Sequence, residues 1–201
     1  LPAAPGQVQL ALNLFGAQCQ IGHVDDDVVQ ASRRALATTG DPGSLLTGWF
    51  ERAIDDASSP SCPQASMDGI EDLLNSVASN TKLKTIPGRQ QDILYLKGRM
   101  ALARGNPEAA LQAFDTGLKI QPRATTAFQQ AALLGSTGHP DLGLRHLDFY
   151  QSIANELPPA PMGMPRIHEW VMARQGYWEH EMKRLRATLR QDVQDKATAH
   201  S

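Results

Sequence analysis

The feature that most constrains this chain is a self-similarity at a fixed offset. Residues 105–122 read GNPEAALQAFDTGLKIQP, and residues 138–150 open in the same way with GHPDLGLRHLDFY. The offset runs from Gly105 to Gly138, and each glycine is followed two positions later by a proline, Pro107 or Pro140. Glycine supports a tight turn that other residues resist. Asn106 is a good N-cap, and proline suits the first helical position, where no backbone donor is needed. The spacing therefore predicts a helix–turn–helix unit used more than once. Such units bury their apolar faces only against neighbours, so the period implies an array of paired helices rather than a sheet.

The rest of the chain supports this. Helical spacing dominates and no period-two alternation persists. QVQLALNLFGAQCQIG gives a first helix with Leu10, Leu12, Phe15 and Cys19 roughly on one side. HVDDDVVQASRRALATTG gives a second, stopped by Gly40 and Pro42. A third covers SLLTGWFERAIDDA, with Leu46, Trp49, Phe50 and Ala53, and MDGIEDLLNSVASN gives a short fourth after the turn-rich SSPSCPQAS. From Arg89 the helices come in pairs: 89–104 with 107–120, 124–137 with 140–155, and 164–175 with 177–196. Gly98 and Ala101, small residues on one helix face, admit a close partner, with Ala110 opposite and Phe114 filling the space toward the next helix. In the last helix Met182, Leu185, Leu189 and Val193 form one apolar stripe with a polar back, suited to capping an array.

Composition narrows the function. The chain has 201 residues with a formal net charge of −2, which disfavours a general nucleic-acid binder, since phosphate recognition needs clustered positive charge. No stretch approaches the roughly 20 apolar residues needed to span a bilayer. The opening LPAAPGQVQL has neither Met nor a signal pattern and reads as a cut-out piece or mature fragment. Cys19 and Cys62 fit neither a zinc site nor a redox motif. Cys19 in an apolar pattern suits a buried thiol, whereas an oxidising compartment would let it pair with Cys62.

Residues 91–122 resemble a tetratricopeptide repeat, with Leu94, Gly98, Ala101, Gly105, Ala110, Phe114 and Pro122 at the family's key positions. Leu94 and Ala101 replace the usual large aromatics, and Gly117 replaces an alanine. The next unit keeps Gly138, Pro140 and Leu147 but carries Gly143 where Ala110 stood. A more divergent unit has Gly176 at its turn. The resemblance implies an all-α, right-handed array of antiparallel helix pairs, a tetratricopeptide-like α-solenoid. It divides the chain into degenerate N-terminal repeats at 1–88, two units at 89–157, and a divergent third unit with a capping helix at 158–201. In that family the first helix of each pair lines a concave groove. By offset, the resemblance implies Asp92, Tyr95, Arg99, Phe128, Arg166, Trp170 and Arg174 as groove residues. Arginines among aromatics suit an acidic peptide or an anionic glycan, because guanidinium forks grip carboxylates and rings stack on apolar or sugar faces. The plainer reading is that Tyr95, Phe128 and Trp170 pack between helices. Arg99, in mid-helix on the small-residue side, needs a partner in either case.

The segment GMPRIHEWVMARQGYWEHEMKRLRATL resembles the C-terminal soluble region of proteobacterial multi-pass membrane proteins, glycosyltransferase-like or O-antigen-ligase-like, that end in tetratricopeptide units. This implies a periplasmic location, with the cytoplasm as the alternative. Two functions follow as expectations: a non-catalytic protein-interaction module, or an accessory domain contributing to a membrane glycan-transfer enzyme.

Little in the sequence speaks for catalysis. His168-Glu169 and His180-Glu181 lack the second histidine of a zinc-protease motif, since Met172 and Arg184 stand there. Asp25, Asp26 and Asp27 read as a helix N-terminus, where the dipole favours negative charge. Neither a phosphate loop nor a nucleophile elbow is present, and no metal or cofactor is expected. Lys183, Arg184, Arg186 and Arg190 read as a solvated face, with Glu179, Glu181 and Asp192.

Overall fold

A computed structural model describes residues 10, 13–18, 21–23, 25–38, 44–58, 64–79, 85–155 and 165–199; within the last segment the side chains of 165–175 lie outside the description. Every element among the described residues is a helix: α1 Asp26–Thr38, α2 Ser44–Ala57, α3 Gln64–Ser79, α4 Pro87–Ala103, α5 Pro107–Ile120, α6 Ala124–Ser136, α7 Pro140–Asn155 and α8 Pro165–Ala199. Residues 13–18 are also helical. The chain divides into two compact units, Leu1–Asn106 and Pro107–Ser201. The boundary falls inside the 89–157 stretch that sequence similarity grouped together.

In the first unit α1 packs on α3, α2 packs on α3 and α4, and α3 packs on α4. The core follows from apolar spacing. Trp49, Phe50, Ala53, Ile54 and Ala57 recur on one face of α2, and Met67, Ile70, Leu73, Leu74 and Val77 on one face of α3. Ile93, Leu96 and Met100 of α4 join them. Phe15 is fully buried and sets its edge against Trp49 at 5.9 Å. Leu10, expected on the same side as Phe15, is instead 71% exposed. Five residues turn an α-helix by about 140° beyond a full circle, so the two face apart. Asp25 stands just before α1, where its backbone N–H and side chain exchange hydrogen bonds with Gln18 at 2.9 and 2.7 Å. Asp26 and Asp27 occupy the first turn of α1, as the helix-terminus reading expected.

In the second unit α6 and α7, joined by a three-residue turn, fold back on each other; α5 packs on both, and α8 packs on both. Phe114 is fully buried and meets His146 of α7 edge-on at 6.0 Å, so it does fill the space toward a following helix. Two glycines bring helices together here. A Cβ on Gly143 would come within 2.8 Å of the Ala131 carbonyl oxygen, and one on Gly135 within 2.5 Å of Leu189 Cδ2. Leu189 of α8 thus sits against the bare backbones of α6 and α7. Met182 and Leu189 are buried and Leu185 packs beside them, so three of the four stripe residues join this core, while Val193 is only half-buried.

The repeated turn has the geometry its residues implied. Gly105 and Gly138 adopt left-handed φ values of +71° and +88°. Asn106 N–H donates to Ala101 O at 2.8 Å and Gly105 N–H to Leu102 O at 2.9 Å; His139 to Leu134 and Gly138 to Gly135 repeat both distances. This is one helix-ending motif, made twice at the same offset. Gly176 is the correction. The expected pair 164–175 and 177–196 is a single 35-residue helix, with Gly176 inside it. At Gly105 and Gly138 a proline two residues on ends the turn by starting a new helix, whereas Gly176 is followed by Tyr177 and Trp178, which can continue one.

Candidate functional site

Of the seven residues expected to line a groove, three lie on α4 in the first unit, and two of these share one network. Tyr95 donates its hydroxyl to Glu51 Oε1 at 2.6 Å. Arg99 reaches the same oxygen at 3.3 Å and Asp55 Oδ1 at 2.5 Å. Both carboxylates come from α2, so the partner that Arg99 needed is internal. The Tyr95 ring packs on the apolar core. Burial first, then the hydrogen bond and charge of Glu51, push its hydroxyl up to about 12, against the opposing pull of Arg99. Asp92 pairs with Arg89 at 2.6 Å, one turn back on the same helix. Arg104 holds Asp68 and Glu71 of α3 at 2.5 and 2.7 Å, and Arg33 of α1 holds Asp72 at 3.0 Å. The first unit therefore ties its helices together with arginine–carboxylate contacts, and Arg99 is one of them.

Phe128 lies in the second unit, where it packs against Trp178 of α8 at 5.5 Å. Tyr177 sets its edge on the same indole at 5.2 Å. Arg166, Trp170 and Arg174 fall on α8, but their side chains lie outside the described residues, as do Cys19 and Cys62 entirely.

The second unit has two polar features that sequence reading did not single out. One is internal. His146 of α7 is fully buried, with Nδ1 2.6 Å from Asp115 Oδ1 of α5 and Nε2 2.9 Å from Gln130 Oε1 of α6. One imidazole joins three helices. Both ring nitrogens are engaged and the ring is closed to solvent, so the arrangement fastens the core and offers no atom to a substrate. The Gln130 amide nitrogen is itself buried without a partner. Turning that amide over would set its nitrogen, rather than its oxygen, against the ring.

The other is a cleft of about 540 Å³ between α7 and α8, lined by Asp148, Gln151, Glu179, Met182, Lys183, Arg186 and Arg190. Arg186 pairs with Asp148 across the two helices. Lys183 and Arg190 are exposed and have no ion-pair partner among the described residues. Gln151 donates its amide to Asn155 Oδ1 at 2.9 Å, which leaves its carbonyl oxygen as an acceptor. Burial and then the nearby Glu179 charge raise the Tyr150 hydroxyl above its ordinary range. The sequence signal was available as Lys183, Arg186 and Arg190 at helical spacing; what it lacked was the wall supplied by α7.

Among the described residues no group of three or more His, Cys, Asp or Glu side chains is placed to hold a metal ion. No described helix is long and apolar enough to cross a membrane. Neither a family model, a curated protein nor a solved structure matches the chain. What fold and surfaces define, among the described residues, is an all-helical protein with two compact units and a mixed-charge cleft in the second.

Proposed function

We propose that this protein is an interaction module, without catalytic activity of its own, built from tetratricopeptide-like helix pairs that stack as a right-handed solenoid. The observation that carries this reading is the helix-ending motif made twice, at Gly105 and again at Gly138. A second support is the packing within each unit, where helices meet their next and next-but-one neighbours in sequence. Short-range stacking of that kind is how repeat arrays build extended binding surfaces. The partner is a protein segment, with an anionic glycan as the other ligand the groove arginines suit. Resemblance of the α8 sequence to soluble ends of envelope proteins supports a periplasmic location, with attachment to a membrane part. The test is titration calorimetry of the purified chain with partners recovered by cross-linking. A saturable complex without turnover is expected, and turnover of any substrate by the purified chain overturns the reading.

A further inference from the structure

We propose that the α7–α8 cleft binds an extended acidic segment of a partner protein, gripping two carboxylates with Lys183 and Arg190. The proposal rests on the interaction-module reading and names the partner class for one surface of it. Arg186 stands between the two cations in the sequence, but Asp148 already neutralises it. Lys183 and Arg190 are the remaining cations of the cleft, two helical turns apart. Seven residues at 1.5 Å each separate them by about 10 Å along the axis. With Glu179 also on the lining, three cations face two carboxylates and the lining carries a net charge of +1. The buried Met182, one residue before Lys183, contributes an apolar part of the cleft wall.

The geometry selects the form of the ligand. A polyproline-II chain rises about 3.1 Å per residue with three residues per turn, so side chains three apart share a face about 9 Å apart. That matches the cation spacing. Two turns of an α-helix with side chains, about 10 Å long and 10–12 Å wide, fill on the order of 1,000 Å³. The cleft holds about 540 Å³, so it can take in the thinner chain with its side chains, whereas a helix would lay only one face against it. Glu179 on the lining disfavours a continuous run of phosphates or sulfates, some of which would meet its carboxylate. A segment with two spaced carboxylates avoids it, and its backbone N–H groups can donate to Gln151.

The experiment uses the full chain and a fluorescein-labelled proline-rich peptide carrying two glutamates three residues apart, followed by fluorescence anisotropy. Exchanging both glutamates for glutamine should weaken binding at least about five-fold. The Lys183→Ala, Arg190→Ala double variant should weaken it similarly, while Lys183→Arg retains it. Each effect should shrink as salt rises, since exposed charges are screened beyond about 8 Å at physiological ionic strength. Circular dichroism shows whether the double variant keeps its helices; if it does not, the glutamine peptide still decides. Equal affinity for the glutamate and glutamine peptides overturns the proposal, as does an absence of peptide binding up to about 1 mM. Tight binding of a sulfated glycan or of anionic phosphatidylserine vesicles that is lost in the double variant, with no peptide binding, overturns it in favour of a polyanion site. Either failure leaves the interaction-module reading to its own test, which turns on a partner captured anywhere on the chain and on absence of turnover.

Discussion

The two units solve the same problem, packing short helices, with different materials. The first is filled by large side chains: Phe15, Phe50, Ile54, Ile70, Leu73, Leu74 and Leu96 are all essentially without solvent contact. Its arginines Arg33, Arg99 and Arg104 each hold a carboxylate on another helix of the unit. The second brings backbones close through Gly135 and Gly143 and places a hydrogen-bonded imidazole at the centre. It also leaves Lys183 and Arg190 facing a cleft. A cation already held by internal carboxylates stabilises the fold and is less available to a ligand. A cation left outside contributes little to stability and remains open to a partner. The difference teaches where to look for binding: at the charges that the fold does not use.

The largest expected effect breaks the second unit. Phe114→Ala removes a fully buried ring between α5 and α7 and should cost about 3–5 kcal/mol, read from the denaturant midpoint. A change below about half a kcal/mol would place Phe114 outside the core.

A glycine pair sharpens the contrast. Gly143→Ala drives a methyl group onto the Ala131 carbonyl oxygen and should cost about 1–3 kcal/mol as overpacking. Gly48→Ala, in α2 of the first unit, meets nothing within 4 Å. It should gain about 0.5–1 kcal/mol from helix propensity alone. Equal effects at the two sites would mean that the α6–α7 approach is looser than these distances.

The smallest effect concerns Tyr95. Its folded-state hydroxyl is raised from 10.0 to about 12, so the neutral form is favoured by folding. The stability this contributes is fully present below pH 10 and is lost as pH rises through about 12. Absorbance titration of the native chain should show a tyrosine ionising near that upper value. Tyr95→Phe should remove this titration and flatten the loss of stability between those pH values. Ionisation of all three tyrosines near 10 would show that neither the burial of Tyr95 nor its contact with Glu51 forms.

Much of the fold was legible because its punctuation is chemical. The starts of α5 and α7, at Pro107 and Pro140, follow from glycine and proline placed two positions apart. Gly176 misleads because a glycine alone does not end a helix; its cost of about 1 kcal/mol is small beside the packing of a 35-residue helix. The candidate site was less legible. Sequence marked Arg99 as a residue needing a partner, but Glu51 and Asp55 stand 48 and 44 residues away on another helix. No local pattern pairs them.

By itself the sequence determined that the chain is helical, where most helices start and stop, and that the turn at Gly105 recurs at Gly138. Each of these rests on backbone preferences acting within a few residues, such as the left-handed freedom of Gly105 and Gly138 and the fixed φ of proline. The tertiary structure alone decided the fate of the charges. Within one stretch of α8, Arg186 lies against Asp148 and is neutralised, while Lys183 and Arg190 line the cleft without an ion-pair partner among the described residues. The reason is physical: a charge on a helix surface is defined by what the neighbouring helix brings within a few ångströms, and that neighbour is set by packing, not by adjacency in the chain.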